Sequence, residues 1–295
     1  MRRIIFIAFL FFFKIASGQK TYLDSSLYDN GQLERKGLYY QVGNQSWQWG
    51  IWEYWYEDGK KQLEVWEDTV KTRYINMWAP DGTQILRSGN GYYYSIEPQP
   101  ELTDSLVYEI KDSIKSGIIR RFRSYGSNPY FLVETGFYEN EKEAGVWHFK
   151  DTVLKTTLLR TYKNGEQNGL EVSYFMNGKV KDSVNYFNDR ENGNYKAYSE
   201  QGILIKDCNY KGGRLIDYFK EYFTNGQLRI EGQYTQAKGY IKVRLISIGR
   251  GNGKMNSRIV DRLIDNKPLK QGVWKYYNEQ GKLVKTEKYL NGKRI

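Results

Sequence analysis

The residues that most often do chemistry in proteins are scarce in this chain. Its 295 residues include one histidine, His148, and one cysteine, Cys208. A nucleophilic triad pairs its Ser or Cys with a His, and a structural zinc site draws on several Cys and His ligands. The composition therefore excludes a disulfide framework and argues against both kinds of site. We predict no catalytic residue, no metal and no cofactor.

Carboxylates are the remaining source of catalytic groups, since a pair of them can hydrolyse glycosides without histidine. Candidates are Glu139, Glu141 and Glu143, or Asp182 opposite Ser173. Nothing separates a pair from the mixed charge around it, and local repeats rarely form the deep pocket that such chemistry needs. A carboxylate-dependent hydrolase is thus an alternative, and a protein that is not an enzyme is the prediction.

The segment Gly249–Lys254 looks like a phosphate-binding loop but has the wrong spacing. A Walker loop has four residues between its glycines and Ser or Thr after the lysine, followed by a helix. Here three residues intervene and Met255 follows the lysine. We expect no nucleotide site.

Six of the eight tryptophans fall between Trp47 and Trp78. Exposed Trp faces can stack on sugar rings or anchor a protein partner. Some members of the cluster occupy columns of the repeat described below, whereas Trp47, Trp49 and Trp66 do not. The cluster therefore suggests an alternative function, an envelope glycan-binding module.

The elements that must position these side chains follow from the composition and from a repeat. Aromatic residues make up 16% of the chain, with 29 Gly and 5 Pro, which favours strands joined by many turns. Aromatic and glycine positions recur at intervals of 24 residues. The columns are Tyr138, Tyr162, Tyr186, Tyr210, Tyr234; Gly145, Gly169, Gly193; Gly178, Gly202, Gly226; and Tyr174, Tyr198, Tyr222.

Each repeat has the pattern of a β-hairpin. Asn-Gly pairs such as Asn177-Gly178 accept the positive φ of a two-residue hairpin turn, and the flanking segments alternate with a period of two. A single hairpin is marginally stable, so neighbouring hairpins must pair edge to edge. We predict an all-β fold, an elongated antiparallel meander of repeated ~24-residue β-hairpins in a single-layer sheet.

A two-residue turn at Asn177-Gly178 would place Glu171 opposite Val184 and Phe175 opposite Val180. The aromatic two positions after the column glycine would then share a face with the Leu/Val column and the Tyr column that follow the turn. The aromatic five positions after that glycine would lie on the other face, among charged residues. These residues and the three unassigned tryptophans are the candidate binding residues: Trp55, Tyr174, Tyr198, Tyr222, Tyr277, Trp47, Trp49 and Trp66.

The first 18 residues have the pattern of a secretory signal. Arg2 and Arg3 precede an unbroken run of 10 apolar residues, and Ala16-Ser17-Gly18 offers small residues to a signal peptidase. Such a run rises about 15 Å as a helix, half of a bilayer core of about 30 Å. We expect cleavage after Gly18, export to the periplasm or extracellular space, and no membrane span.

The charge indicates which partners the protein takes. The formal net charge is +11, with opposite signs mixed along the chain. An acidic protein or a cell-envelope glycan fits this balance, and nucleic acid does not, because no basic track is present. Exposed end strands would also permit self-association. In an oxidising compartment Cys208 has no partner within the chain, and its column identifies it as a small packing residue.

The segments Gly193–Gly202, Tyr162–Gly165 and Gln271–Gly281 resemble the variant MORN repeat, which bacterial proteins filed as YwqK-type antitoxins contain. The resemblance is clear over 134–234 and 270–295 and implies an antiparallel sheet that acts as a scaffold or binding surface. It also implies an antitoxin or immunity role. The resulting organisation is a signal peptide (1–18), a divergent repeat region (19–133), regular repeats (134–234), a long hairpin insertion (235–266) and a C-terminal repeat (267–295). We predict an exported, non-catalytic, protein-binding repeat scaffold.

Overall fold

A computed structural model describes residues 19–151, 155–236, 240–248, 255–263 and 267–295. The predicted signal peptide (1–18) and the Gly249–Lys254 loop lie outside the described residues. The described part of the chain is built from strands and turns, without helix, and no segment of it could cross a bilayer as a helix.

The described residues form twenty-three strands, and 21 of these strands belong to one antiparallel sheet. The first group is β1 (Gln19–Leu27), β2 (Leu33–Val42), β3 (Gln45–Trp55), β4 (Lys61–Glu67), β5 (Thr72–Trp78), β6 (Gln84–Arg87), β7 (Asn90–Pro98), β8 (Leu102–Lys111) and β9 (Ile114–Tyr125). The second group is β10 (Phe131–Glu139), β11 (Lys142–Asp151), β12 (Thr156–Lys163), β13 (Glu166–Phe175), β14 (Val180–Phe187), β15 (Arg190–Tyr198), β16 (Leu204–Tyr210), β17 (Leu215–Tyr222) and β18 (Leu228–Gln236). The last group is β19 (Tyr240–Ile248), β20 (Met255–Leu263), β21 (Pro268–Tyr277), β22 (Leu283–Leu290) and β23 (Lys293–Arg294).

Successive strands pair as an antiparallel meander, which confirms the predicted fold class. The chain divides into two compact units. The first unit takes in the chain up to Pro98 together with Ser105–Ile119, and the second takes in Gln99–Asp104 and Arg120–Ile295. In the second unit β18 pairs directly with β21, while β19 and β20 pair with each other as a separate two-stranded sheet. The hairpin β19–β20 therefore interrupts the chain without interrupting the meander.

Two kinds of turn alternate along the meander, and one of them differs from the prediction. At Asn164-Gly165 both residues have positive φ (56° and 86°), so this is the tight two-residue turn. At Asn177-Gly178 the loop is longer: Phe175 N donates to Lys179 O, Gly178 N donates to Phe175 O, and the glycine alone has positive φ. The predicted two-residue turn was wrong here, because a type I turn followed by a left-handed glycine closes the hairpin.

The asparagine of the longer turn links one repeat to the next. Asn177 Oδ1 accepts a hydrogen bond from Lys179 N inside its own turn, and Asn177 Nδ2 donates to Glu200 O of the following long turn at 3.0 Å. Asn225 makes the same two bonds, the second to Glu279 O at 2.8 Å. A carboxylate could make only the first bond, which explains why asparagine suits these positions.

Candidate functional site

The two faces of the sheet in the second unit have different structures. We call packed face the side that carries Tyr195, Cys208, Phe219, Trp274 and their neighbours. Tyr195 lies opposite Cys208, and Cys208 opposite Phe219, in adjacent strands. Cys208 and Trp274 are almost completely buried, and Tyr210, Tyr234 and Tyr289 pack around them. Because opposed residues share a face, the predicted association of the plus-two column with the Tyr column is confirmed.

Ring size on the packed face is matched to the residue on the preceding strand. A Cβ added at Gly232 would lie 2.3 Å from the Trp274 ring, and one added at Gly136 would lie 2.1 Å from the Trp147 ring. The first unit repeats the arrangement with Gly37 and Trp52. In repeats with a smaller ring a side chain fits instead: Val184 lies opposite Tyr195, and Cys208 opposite Phe219. The absence of a side chain therefore makes room for each of these three indoles.

The single cysteine is buried on the packed face, and the single histidine is exposed. Burial raises the pKa of Cys208 to about 11, so its thiol stays protonated and poorly nucleophilic at neutral pH. His148 is exposed on the other face, opposite Leu159. Among the described residues no group of His, Cys, Asp and Glu could hold a metal ion.

The carboxylate candidates are distributed along the fold as separate groups. Ser173 and Asp182 lie opposite each other, as the sequence indicated. Tyr138 and Glu143 are also opposed, next to the turn that contains Glu141. Neither arrangement brings two of the predicted candidate carboxylates to the walls of a deep pocket in the described residues.

We call open face the opposite side of the sheet in the second unit. In β13, Gly169, Glu171 and Ser173 lie opposite packed-face residues, whereas Tyr174 lies opposite Val180. Tyr198, Tyr222 and Tyr277 lie opposite Leu204, Leu228 and Leu283 in the same way. The four tyrosines are half-buried in this row. This places the plus-five column on the face opposite the plus-two column, as predicted.

The Leu/Val column departs from its predicted face. The sequence placed Val180 opposite Phe175, yet its partner is Tyr174, because the register shifts by one residue between Ser173 and Tyr174. The same shift occurs in the hairpins that end at Tyr198, Tyr222 and Tyr277. The predicted position was wrong, since a β-bulge moves these aliphatic side chains toward the tyrosine row of the open face.

A second row of the open face carries exposed apolar side chains in alternate strands, and sequence reasoning missed it. It consists of the residue directly after the column glycine, or after Asp217 in β17, and its apolar and aromatic members are exposed by 36–50% of their surface. The signal was available, because positions one, three and five after that glycine share a face in a strand. The row is Val146, Leu170, Tyr218 and Val273, with Asn194 in the β15 position.

Between the apolar and tyrosine rows the open face carries a row in which lysines alternate with carboxylates. Lys196, Asp207, Lys220, Glu231 and Lys275 lie opposite one another in successive strands. Lys275 Nζ pairs with Glu231 at 3.0 Å, and Tyr277 OH donates to the same carboxylate. Hydrogen bonds from Tyr277 and Lys275 lower the pKa of Glu231, so it remains charged.

Asp207 is held differently. Tyr218 OH donates to Asp207 Oδ1 at 2.9 Å, and Asn194 Nδ2 donates to the same oxygen at 2.8 Å. Within the described residues no ion pair joins Lys196 or Lys220 to a carboxylate. Lys196 and Lys220 thus lie beside Asp207 and Glu231 without a direct ion pair in the described residues, between rows of apolar and aromatic side chains.

The first unit carries the predicted tryptophan cluster on the side away from Trp52. Tyr40 lies opposite Trp47, and its ring is 5.6 Å from the Trp49 ring. Trp49 is in turn 6.2 Å from Trp66. The three tryptophans that did not fit the repeat are thus brought together, with Tyr40 as a member that the sequence did not single out. Trp49 is exposed, and the other three are half-buried.

The remaining predicted binding residue, Trp55, lies in a charged neighbourhood of the first unit. Lys36 and Lys61 place their ammonium groups 5.3 and 5.7 Å from the centre of its ring. Glu53 pairs with both lysines. Although burial opposes it, hydrogen bonds from Lys61 and Lys36 hold the pKa of Glu53 below its usual value. Trp55 is therefore already engaged in cation–π contacts.

The comparison with known families supports the repeat and leaves the specific function open. Residues 218–236 and 270–291 match the family model described as MORN repeat variant. These segments cover most of β17 and β21 and all of β18 and β22, and they contain Lys220, Tyr222, Lys275 and Tyr277. The chain has no significant match among curated proteins. The chain thus contains MORN-type repeats, and such repeats occur generally in repeat proteins with binding roles and are typically not catalytic.

Proposed function

We propose that this protein is an exported, non-catalytic scaffold that binds a protein partner through the open face of its second unit. The observation that carries the proposal is that exposed apolar side chains lie on one face beside a row in which lysines alternate with carboxylates. Apolar side chains exposed in alternate strands, with polar residues between them, give a mixed surface of the kind found at protein interfaces. Half-buried tyrosines complete the surface, and Tyr is enriched at interface hot spots.

The packed face supports this choice by contrast. Its rings already contact one another: the Phe219 and Trp274 rings are 5.7 Å apart, and Tyr234 meets Trp274 edge to face at 5.1 Å. A partner would find little apolar surface there that is not already covered. On the open face the side chains of Val146, Leu170 and Val273 remain about half exposed.

The charge of the open face favours an acidic partner. The register places Lys150, Lys196, Lys220, Lys275 and Lys288 on this face, against Asp207 and Glu231. Complementary charge speeds association and suppresses wrong partners. Export rests on the signal-like segment 1–18, and an antitoxin or immunity role is one form that such binding would take. A dedicated acidic protein of the envelope is therefore the expected partner.

The proposal is tested by affinity capture from the envelope fraction of the native organism. The bait is the chain from Gln19, compared with Tyr174→Ala/Tyr198→Ala/Tyr222→Ala and with Tyr92→Ala, whose tyrosine is exposed in the first unit. The captured protein is then purified, and its affinity for each folded bait is measured. We expect loss of at least about tenfold for the triple variant and none for Tyr92→Ala. Equal affinity for all three baits would contradict the proposed face.

A second function is favoured by the tryptophan cluster of the first unit. Tyr40, Trp47, Trp49 and Trp66 form a contiguous group of rings that could stack on sugars. Next to it an open groove of about 380 Å³ is lined by Leu38, Ile51, Glu53 and Glu64 among others. Titration of the native chain and of Trp49→Ala with cell-wall polysaccharide, followed by tryptophan fluorescence, tests glycan binding. A flat titration with the native chain into the millimolar range would exclude it.

A further inference from the structure

The open face repeats its chemistry at a fixed distance. Lys196, Lys220 and Lys275 lie in β15, β17 and β21, and one strand separates each from the next. Neighbouring strands are about 4.7–4.9 Å apart, so the lysines recur at about 9.5 Å. Tyr198, Tyr222 and Tyr277 follow two residues later in the same strands and therefore recur at the same interval. A ligand that crosses the strands meets one Lys–Tyr pair every 9.5 Å or so.

The polyproline II helix has nearly the same repeat. It has three residues per turn and a rise of 3.1 Å per residue, so every third side chain recurs at about 9.3 Å on one side. In an extended β-strand the side chains on one side recur at about 6.7 Å. A ligand in that conformation would therefore lose register with the lysines within one hairpin. Aromatic rings are the usual surface on which proline-rich segments dock, because the preformed helix is bound with little loss of entropy.

The charges between the lysines add a condition. Asp207 lies between Lys196 and Lys220, and Glu231 lies between Lys220 and Lys275. A ligand with an uninterrupted acidic run would bring some of its carboxylates against Asp207 and Glu231. A ligand with an acidic residue at every third position would bring its carboxylates against the lysines only. Like-charge contacts of this kind select against the wrong partner. Neither Lys196 nor Lys220 makes a direct ion pair in the described part of the chain, so each can still pair with a carboxylate of a ligand.

We infer that the open face binds an acidic, proline-rich segment in the polyproline II conformation, with an acidic residue at every third position. The segment lies across the strands. Its carboxylates pair with Lys196 and Lys220, and its prolines pack against Tyr198 and Tyr222. The inference rests on the proposed function and specifies the chemistry of the partner's contacting segment.

The test is binding of a fluorescein-labelled peptide of four Pro-Pro-Glu repeats, followed by anisotropy. One control is an isomer of the same composition with its glutamates clustered at one end, and the other is four Gly-Gly-Glu repeats of the same charge and period. We expect the Kd of the Pro-Pro-Glu peptide to be lower than that of either control by at least about tenfold. Equal affinity for the three peptides would show that charge alone drives binding and would overturn the inference.

Variants identify the surface involved. Lys196→Gln/Lys220→Gln and Tyr198→Ala/Tyr222→Ala should each weaken binding of the Pro-Pro-Glu peptide by about tenfold or more, and Tyr92→Ala should leave it unchanged. The lysine variant keeps the test valid if the tyrosine variant fails to fold. Unchanged affinity in the folded lysine variant would overturn the inference. So would displacement of the peptide by cell-wall polysaccharide but by no acidic peptide, or no binding at millimolar peptide. If the envelope partner still requires the open face while this peptide does not bind, the inference fails and the proposed function stands.

Discussion

The packed and open faces of the second unit use the same kinds of residue for different purposes. On the packed face aromatic rings contact one another edge to face, as Tyr195 and Tyr210 do at 5.9 Å, and glycine leaves space where the ring is an indole. On the open face no ring contact among the described residues joins Tyr174, Tyr198, Tyr222 or Tyr277 to another ring. One face of the repeat therefore supplies stability, and the other leaves its aromatic and apolar groups available.

The comparison teaches that a ring's place in the repeat determines its use. In a strand, residues two positions apart carry their side chains on the same face. A ring three positions further along therefore lies on the opposite face. The plus-two rings thus build the core, and the plus-five rings meet solvent and lysines. Substitutions on the packed face should affect folding, and substitutions on the open face should affect binding.

The largest expected effect of the predicted substitutions is at Asp104, which is 1% exposed. Its carboxylate accepts hydrogen bonds from Arg123 Nε and Nη2 at 2.8 and 2.9 Å and from Arg121 Nη1 at 3.3 Å. Arg121 also binds Glu134, which lies opposite Phe149. Asp104→Asn should lower the free energy of unfolding by about 3 kcal/mol, because two arginines lose their buried counter-charge. Urea unfolding at pH 7 measures the change, and a loss below about 1 kcal/mol would contradict it.

The same site predicts a pH dependence. Hydrogen bonds from Arg123, opposed by burial and assisted by the arginine charges, lower the pKa of Asp104. A carboxyl group with a lowered pKa in the folded state contributes stability above its unfolded pKa of about 3.9, and this is lost as the pH falls through the folded value. The difference in stability between the native chain and Asp104→Asn should therefore shrink on acidification from pH 5 to pH 3. A constant difference would contradict this assignment.

Gly232→Ala tests the match between ring and glycine. The new Cβ would meet the Trp274 ring, and displacing that ring should cost about 2 kcal/mol. Gly232→Cys/Trp274→Phe recreates the Cys208–Phe219 pair and should be more stable than the sum of its single changes indicates, by about 1 kcal/mol. Chemical denaturation of the native chain, Gly232→Cys, Trp274→Phe and the double variant measures this coupling. Additive effects would show that the two positions do not interact.

A smaller effect is expected at Asp217, which occupies the glycine column 24 residues after Gly193. The φ of Asp217 is 60°. Gly193 and Gly272, at the equivalent position of their repeats, have φ of 115° and 69°. Asp217→Gly should relieve left-handed strain and raise the free energy of unfolding by about 0.5 kcal/mol, even after loss of the bond from Asn209 Nδ2. Gly193→Asp is the reverse control and should destabilise the fold. A fall in the thermal midpoint of Asp217→Gly would contradict the expectation.

The smallest expected effect on stability is on the open face. Lys196→Gln/Lys220→Gln should change the free energy of unfolding by no more than about 0.5 kcal/mol, since neither lysine makes an ion pair in the described part of the chain. Its effect on binding should be large, as set out above. The ratio of the two effects separates the faces most clearly. A loss of stability equal to that of Gly232→Ala would mean that the lysines hold the fold together.

Much of this architecture is predictable from residue spacing. The 24-residue period and the Asn-Gly turns indicate hairpins, and the parity of the columns separates plus-two from plus-five rings. The faces of Val180, Leu204 and Leu228 could not be derived, because a single bulged residue reverses a strand's alternation and leaves no clear sequence signal. The long turn at Asn177-Gly178 shares its dipeptide with the tight turn at Asn164-Gly165, so dipeptide identity alone does not set the turn type.

The proposed binding surface was less predictable than the fold. The sequence indicated the tyrosine row but not the exposed row Val146, Leu170, Tyr218 and Val273, because exposure depends on what each side chain packs against. It also did not show that Asp207 accepts hydrogen bonds from Tyr218 and Asn194, or that Lys196 and Lys220 make no direct ion pair in the described residues. Contacts of this kind join side chains 13 and 11 residues apart and follow from the register.

The central claim, that the open face is the binding face, is tested most directly by hydroxyl-radical footprinting of the complex with the captured partner. Mass spectrometry reports the oxidation of each exposed side chain in the free and bound protein. We predict that Val146, Leu170, Tyr218 and Val273 lose reactivity on binding, while Met176, exposed in a turn, keeps it. Unchanged oxidation of the four residues in a saturated complex would contradict the account.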